Sequence, residues 1–379
     1  MPGFTHAEFA PDTTLGKGRS WLQQFHVDLP LLLALMLLAG VGLIALYSAS
    51  EQNTDLVLRQ LMRLSIAFAL MIAVAQLRPD TIQHWSPWLY ALGMVMLIAV
   101  LILGVIGKGA QRWLNFGLFT FQPSELMKLA LPMIIAWYFA EHTMPPRPLR
   151  ILAAIVMLLV PTLLVAKQPD LGTALVLAAS GFFVLFLAGL RWRVIIITCI
   201  LLVPLAWVVW QYGMHDYQRN RVLTFLNPEI DPLGAGYHII QSTIAIGSGG
   251  MYGKGWLNGT QSHLDFLPER KTDFIFPVFS EEFGFIGSLL LLAIYAAIII
   301  RGLMITLQAQ DTYTRLLAGS ITLTFFIYVF INIGMVSGLL PVVGIPLPLV
   351  SYGGTSMVTL LTGFGILMSI QTHRKLIST

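Results

Sequence analysis

Ten stretches of apolar residues, separated by short polar segments, set the pattern of the chain. They run approximately over Leu29–Ser48, Leu64–Leu77, Trp88–Ile106, Ser124–Ala140, Ile151–Ala166, Leu171–Leu190, Val194–Trp210, Phe274–Ile300, Leu316–Ser337 and Thr355–Ile370. At a rise of about 1.5 Å per residue, most of them can cross a hydrocarbon core of about 30 Å as helices. The second stretch is short and has to borrow flanking residues. The pattern predicts an all-α, polytopic membrane protein with about ten transmembrane helices.

The composition supports lipid as the main solvent of this chain. Hydrophobic residues make up 56% of the 379 residues and charged residues only 11%, whereas soluble domains are roughly a quarter charged. The single cysteine, Cys199, lies within an apolar stretch, so it can form neither an intramolecular disulfide nor a thiolate metal cluster. These features exclude a soluble globular domain, and we expect no nucleic-acid partner.

The basic residues predict the orientation, because cytoplasmic connections of membrane proteins carry an excess of Lys and Arg. With the N-terminus inside, half of the 22 basic residues face the cytoplasm: Lys17, Arg19, Arg78, Arg147, Arg150, Arg191, Arg193, Arg301, Arg315, Arg374 and Lys375. An even number of helices returns the C-terminus to the same side. We therefore expect a cytoplasmic tail over residues 1–28, one transmembrane domain over 29–379, and a long outer loop over 211–273, between the seventh and eighth helices.

This outer loop holds eleven of the forty charged residues and is rich in glycine, so its backbone can approach a ligand closely. A flexible, solvated loop is the plainer interpretation. Arg219 and Arg221 lie at one end and Lys271 at the other, and both ends flank spanning helices at the same membrane face. A carboxylate there could accept a hydroxyl proton while the cations hold a phosphate. The residue types do not decide which acid provides this carboxylate, and the candidates are Asp265, Glu269, Asp273, Glu281 and Glu282.

Glu125 and Lys128 are charged residues placed within the fourth apolar stretch. Their spacing of three brings both side chains to the same helix face, and charges at membrane depth usually face a bundle interior or a water-filled cavity. We expect an intramembrane ion pair. The pair either belongs to a functional site or has only a structural role, in which its two charges neutralise each other.

Lys108, Arg112 and Trp113 lie just before that helix, and Arg59 and Arg63 lie near the outer end of the second. Guanidinium and ammonium groups at an interface suit a phosphate-bearing lipid headgroup, because arginine can donate two parallel hydrogen bonds to phosphate. The alternative is ordinary snorkelling beside an aromatic belt.

The segment Pro341–Gly354 carries no charge but three prolines and three glycines between the last two helices. Irregular backbone at membrane depth must be covered by protein or water. We therefore predict a re-entrant or tightly folded connection that is buried against the bundle, rather than a plain outer turn.

Six motifs, in order and spacing, resemble those of the SEDS family (shape, elongation, division and sporulation), and the resemblance covers nearly the whole chain. They are Gly107–Trp113, Gln122–Lys128, Lys167–Thr173, Gly247–Gly250, Pro268–Phe274 and Pro341–Gly354. The segment Gly255–Gln261 favours the family's elongation branch over its division branch.

The resemblance implies a peptidoglycan glycosyltransferase that polymerises lipid II for cell elongation and rod shape. It implies lipid II and undecaprenyl-pyrophosphate-linked glycan as ligands, and as partners a class B penicillin-binding protein and other membrane proteins of the elongation complex. The family's essential carboxylate corresponds to Asp273. The protein would lie in the inner membrane of a bacterium, with both termini in the cytoplasm and the active site facing the periplasm.

From the residues and the resemblance together, we expect Asp273 to act as the general base of an inverting transfer. The expected substrate-binding residues are Arg59, Lys108, Arg112, Trp113, Glu125, Lys128, Arg219, Arg221 and Lys271. No cofactor is certain, although a divalent cation, Mg²⁺ or Mn²⁺, could share the binding of the diphosphate. A lipid II flippase and a noncatalytic scaffold for the penicillin-binding protein are the alternative functions.

Overall fold

The protein is a bundle of long helices with a small sheet on one side. The computed structural model describes residues 26–107, 110–115, 117, 120–142, 146–190, 235–260 and 269–374, and single or short positions between 196 and 223. The described helices are α1 (Leu29–Ala49), α2 (Thr54–Ala75), α3 (Pro79–Leu103), α4 (Pro123–Ala140), α5 (Pro148–Lys167), α6 (Leu171–Leu187), α7 (Ala235–Ser248), α8 (Ile275–Gln308), α9 (Thr312–Val336) and α10 (Thr355–Thr372). The strands are β1 (Val105–Gly107), β2 (Ala110–Asn115) and β3 (Thr120–Phe121), and a short π-helix covers Val209–Gly213.

Seven of the described helices are long and apolar enough to cross a membrane, namely α1, α2, α3, α5, α8, α9 and α10. The 17-residue α6 is a shorter apolar helix. Helix α4 is not among these seven, because its polar first turn lowers its mean hydropathy. It is nevertheless well enclosed: 13 of its 18 residues are buried, whereas only 5 of the 22 residues of α2 are buried. A helix surrounded by other helices can carry charge where a lipid-facing one cannot. The prediction of a polytopic helical membrane protein is confirmed. The predicted Val194–Trp210 span lies largely outside the described residues, so the count of ten transmembrane helices stays a prediction.

Several predicted helix boundaries differ from the structure: the third helix already begins at Pro79 and the eighth continues to Gln308. The second helix begins at Thr54, ten residues before the apolar stretch, because Asn53 caps it by accepting a hydrogen bond from Leu56 N at 3.1 Å. This confirms the prediction that the second helix includes residues flanking its apolar stretch. The third helix ends at Leu103 rather than near Ile106, because the chain turns at Gly104 into strand β1.

The small sheet is a feature that the sequence analysis did not predict. Strand β1 pairs antiparallel with β2, and β2 pairs antiparallel with β3. A connection between two membrane helices has to satisfy its backbone polar groups, and hairpin pairing does so locally. The sheet holds Arg112 and Trp113 on β2, directly before α4. The predicted outer loop also contains regular structure, since α7 lies within it.

The connection Pro341–Gly354 is covered by the bundle, as predicted. Its Ile345, Leu347 and Leu349 side chains are at most 3% exposed. A methyl group placed on Gly172 of α6 would lie 2.7 Å from the carbonyl oxygen of Val343, which is too close. Leu349 has a φ of 60°, a left-handed conformation that costs energy in a residue with a Cβ atom. The loop is therefore held in one conformation by the helices around it.

Helix α8 is broken at Gly284, where φ is 67° and ψ is −164°. The loop that follows α7 satisfies the backbone at the break: Phe285 N donates to Gly250 O at 2.9 Å, and Gly255 N donates to Glu282 O at 3.0 Å. Glu281, which is fully buried, pairs with Lys254 at 2.6 Å. The glycine-rich part of the outer loop thus docks on the segment of α8 that follows Asp273, instead of forming a free surface loop.

Substitution of the docking glycines should therefore be costly. Gly253 has a φ of 81°, and a Cβ atom on it would collide with the Glu282 backbone. We expect Gly253→Ala to lower the free energy of unfolding by about 2 kcal/mol or more, since the left-handed conformation alone costs about 1–2 kcal/mol. Gly247→Ala is the matched control, because that glycine is helical and its added methyl group meets no atom within 4 Å. Unfolding followed by denaturant in detergent should show Gly247→Ala as neutral or slightly stabilising. Equal losses for the two variants would contradict this account.

Candidate functional site: a charged cavity beside Asp273

The N-terminal end of α4 carries the ion pair that its spacing predicts. Lys128 Nζ lies 2.8 Å from Glu125 Oε1, and the two residues are 8% and 5% exposed. The Lys128 ammonium also lies 5.4 Å from the centre of the Tyr328 ring on α9. The second carboxylate oxygen, Glu125 Oε2, is buried and has no hydrogen-bond partner among the described residues. The residue Glu125 lines a cavity, although this oxygen is itself covered by protein.

Arg112 joins the sheet to the start of α6. Its guanidinium donates to the carbonyl oxygens of Gln168, at 3.3 Å, and Pro169, and it lies 3.7 Å from Asp170 Oδ2. Asp170 in turn caps α6 by accepting from Thr173 N at 3.2 Å. The sequence analysis did not select Asp170 as a site residue, although it lies within the Lys167–Thr173 motif. An acidic residue before a helix has an ordinary capping role, and only the tertiary structure brings it to Arg112.

These groups line a cavity of about 270 Å³. Its charged and polar lining consists of Arg112, Gln122, Glu125, Lys128, Asp170, Thr173, Tyr328, Thr355 and Ser356. Gly344 and Ile345 of the Pro341–Gly354 loop form part of another wall. The cavity is thus built from the sheet, four helices and one buried loop.

A second cavity of about 860 Å³ adjoins the first and shares Trp113, Glu125, Gly354 and Thr355 with it. Its other lining residues come from α2, β3 and α10, and half of them are apolar: Arg63, Ile66, Thr120, Phe121, Val358 and Thr359. The Arg63 guanidinium lies 4.9 Å from the centre of the Tyr352 ring. Trp113 stands between the two cavities, so its position is not explained by membrane anchoring alone.

Asp273 lies in the turn that precedes α8 and is half-buried. A methyl group placed on Gly344 would come within 3.4 Å of Asp273 Oδ2, so the carboxylate faces the loop that lines the first cavity. Of the other acids left open, Glu281 and Glu282 are buried and bound, by Lys254 and by the Ser48 hydroxyl respectively. Glu269 accepts from Thr272 Oγ1 at 2.7 Å in an exposed turn, and Asp265 lies outside the described residues.

The remaining predicted substrate-binding residues do not all lie at the two cavities. Lys271 is half-buried two positions before Asp273. Arg59 is exposed on α2 and Arg219 donates to Gln211 O at 2.8 Å, and neither lines the two cavities as the described residues define them. Lys108 and Arg221 lie outside the described residues.

A divalent cation has no ready-made protein site in the described part of the chain, which contains no group of three or more His, Cys, Asp or Glu side chains that could hold one. The carboxylates of Glu125 and Asp170 already face Lys128 and Arg112. These residues therefore do not fit a dedicated metal site.

The fold and this cavity define a polytopic helical membrane protein with a charged cavity between its helices. Residues 26–376 match the family of cell cycle proteins that comprises FtsW, RodA and SpoVE, and the chain belongs to that family. The SEDS resemblance is thereby confirmed. The chain is 51% identical to the peptidoglycan glycosyltransferase MrdB of Escherichia coli K12, over 95% of this chain and 97% of that relative.

Solved structures agree with this assignment. One, described as showing the structural coordination of polymerization and crosslinking by a peptidoglycan synthase complex, contains a chain with a TM-score of 0.80 and 32% identity. It covers 92% of this chain and 99% of the other. The rod shape determining protein RodA of Thermus thermophilus has a TM-score of 0.70 and 26% identity, with 92% and 98% covered.

Proposed function

We propose that this protein polymerises lipid II into glycan strands for cell elongation and rod shape, with Asp273 as the general base. The activity class, peptidoglycan glycosyltransferase, is that of the relative with which the chain shares 51% identity over nearly its whole length. The observation that carries the proposal is a cavity lined by Arg112 and the Glu125–Lys128 pair, whose loop wall lies against the Asp273 carboxylate.

In the proposed reaction, Asp273 accepts the proton of the 4-hydroxyl group on the terminal N-acetylglucosamine of the acceptor. The oxygen forms a bond to the anomeric carbon of the donor, and the bond from that carbon to the diphosphate oxygen breaks. Undecaprenyl diphosphate leaves with the bonding electrons. In-line attack on an α-linked donor inverts the centre and produces a β-linkage.

The departing diphosphate needs cations close to the reacting carbon. Arg112 and Lys128 line the first cavity, and Lys271 lies two residues from the base. Arg112 is oriented by the Gln168 carbonyl and by Asp170, which holds its planar group in place for bidentate binding of phosphate.

The lipid tails enter from the side, because removing a long isoprenoid chain from the membrane costs about 0.8 kcal/mol per methylene group. The second cavity provides the route, since Ile66 of α2 and Val358 of α10 line it. Deeper along the same helix pair, a methyl group on Gly365 would meet the Met71 carbonyl at 2.5 Å. The two helices are thus in close contact there, and the opening lies at their outer ends.

The partner and the orientation are part of this proposal. A class B penicillin-binding protein and other elongation-complex proteins bind the chain in the inner membrane of a bacterium, both termini lie in the cytoplasm, and the cavity faces the periplasm. The similarity to a chain of a peptidoglycan synthase complex supports a crosslinking partner.

The test is polymerisation of labelled lipid II by the purified full chain, with the penicillin-binding protein inactivated at its own active site. We expect β-linked glycan strands and one undecaprenyl diphosphate released per bond. The partner alone is the control. Labelled lipid crossing a liposome membrane without polymer would instead support a flippase, and polymer from the partner alone would support a scaffold.

A further inference from the structure

Three consecutive carbonyl groups at the candidate base are each held by a different donor. Lys271 O accepts from Tyr352 N at 2.8 Å, and Thr272 O accepts from Ser351 Oγ at 2.6 Å. Asp273 O accepts from Asn332 Nδ2 at 3.0 Å. These carbonyls lie before the first turn of α8, whose N-cap is Phe274, so the helix itself provides them with no partner.

The donors belong to the most enclosed part of the molecule. Asn332 of α9 is fully buried, and its Nδ2 also donates to Ile345 O at 2.7 Å. Ser351 is 2% exposed, and its Oγ accepts from Leu347 N at 2.8 Å. Each side chain therefore binds both the turn of Asp273 and the buried loop Pro341–Gly354.

This loop is also a wall of the cavity, through Gly344 and Ile345. One amide group, that of Asn332, thus fixes the acid relative to the wall it faces. A displacement of the base by about 1 Å can cost about 100-fold in rate, because proton transfer depends on the approach of donor and acceptor.

We propose that Asn332 and Ser351 are positioning residues for glycosyl transfer, which hold the Asp273 turn against the cavity wall. The inference rests on the proposed role of Asp273 as general base. Neither side chain has to touch the substrate. Their loss should therefore lower kcat and leave the KM for lipid II nearly unchanged.

The experiment compares Asn332→Asp, Ser351→Ala and Ser320→Ala in the full chain bound to its penicillin-binding protein. Asn332→Asp keeps the size of the side chain but replaces the amide donor with an oxygen, which faces two carbonyl acceptors. Ser351→Ala removes one hydroxyl and serves if the first variant fails to fold.

Ser320 is the matched control, since it is a fully buried residue of α9 whose Oγ donates to Ser180 O at 2.7 Å, with no contact to the Asp273 turn. Polymerisation of lipid II gives kcat and KM, and thermal unfolding in detergent gives Tm.

We expect kcat to fall about 10- to 100-fold for Asn332→Asp and about 10-fold for Ser351→Ala, with KM within about twofold of wild type. Ser320→Ala should keep kcat within about twofold even if its Tm falls. A normal kcat in both site variants, a raised KM with normal kcat, or an equal loss in Ser320→Ala would each overturn the proposal. Asp273→Asn is measured in parallel. Normal polymerisation by Asp273→Asn would refute the role of Asp273 as the base. If Asp273→Asn is inactive but the Asn332 and Ser351 variants keep normal kcat, only the positioning role is refuted.

Discussion

Replacement of Asp273 with asparagine should lower kcat for glycan polymerisation about 10²- to 10⁴-fold, which is the usual contribution of a general base. Asparagine has nearly the same shape as aspartate, and the carbonyl groups of the turn stay bound to Tyr352 N, Ser351 and Asn332. The change therefore removes the proposed proton acceptor and leaves the backbone in place. Gel analysis of labelled glycan strands, with the partner inactivated, measures the effect.

Glu269→Gln is the control for this experiment. Glu269 lies four residues earlier in the same turn, and its carboxylate binds Thr272 Oγ1 in an exposed position. Loss of that charge should change kcat by less than about threefold. Normal polymerisation by Asp273→Asn, or a larger loss for Glu269→Gln, would assign the base to another residue.

Replacement of Lys128 with methionine should lower the free energy of unfolding by about 3–5 kcal/mol, because it leaves the buried Glu125 carboxylate without its cation. Methionine fills a similar volume and cannot neutralise the charge. Denaturant unfolding in detergent measures the loss, and polymerisation of lipid II should be lost in the same variant.

The double variant Glu125→Leu with Lys128→Met separates the two interpretations of this ion pair. Apolar replacement of a whole buried pair is often neutral for stability, so most of the unfolding free energy should return. If the pair only neutralises itself, activity returns as well. We expect activity to stay at least about 10-fold low, because both residues line the cavity and the double variant removes both charges from its wall. Full recovery of polymerisation would reduce the pair to a structural role.

The Glu125–Lys128 pair lines the cavity, whereas Asp273 faces the loop that forms one of its walls. Asp273 is held by backbone contacts to a buried loop, whereas Glu125 and Lys128 project from the first turns of a helix that other helices enclose. The acid should therefore control the chemical step, and the pair should control both folding and the binding of substrate.

The membrane class, nine of the ten described helices and the Glu125–Lys128 pair could be predicted from the sequence. These properties depend on residues close together in the chain: apolar runs of spanning length, and a spacing of three on one helix face. The six motifs also identified the family. The sheet around Arg112 and the start of α2 at Thr54 could not be predicted, because strand pairing and capping contribute no hydrophobic signal.

Only the tertiary structure decided which polar residues from distant parts of the chain meet. Asp170 contacts Arg112 across 58 positions of sequence, and Asn332 reaches Asp273 from another helix. Residue types alone left five acids as possible bases, and packing removed Glu281 and Glu282 from that choice by burying them against Lys254 and Ser48. Local pattern determines which segments enter the membrane, whereas long-range contacts determine which charged groups share a cavity.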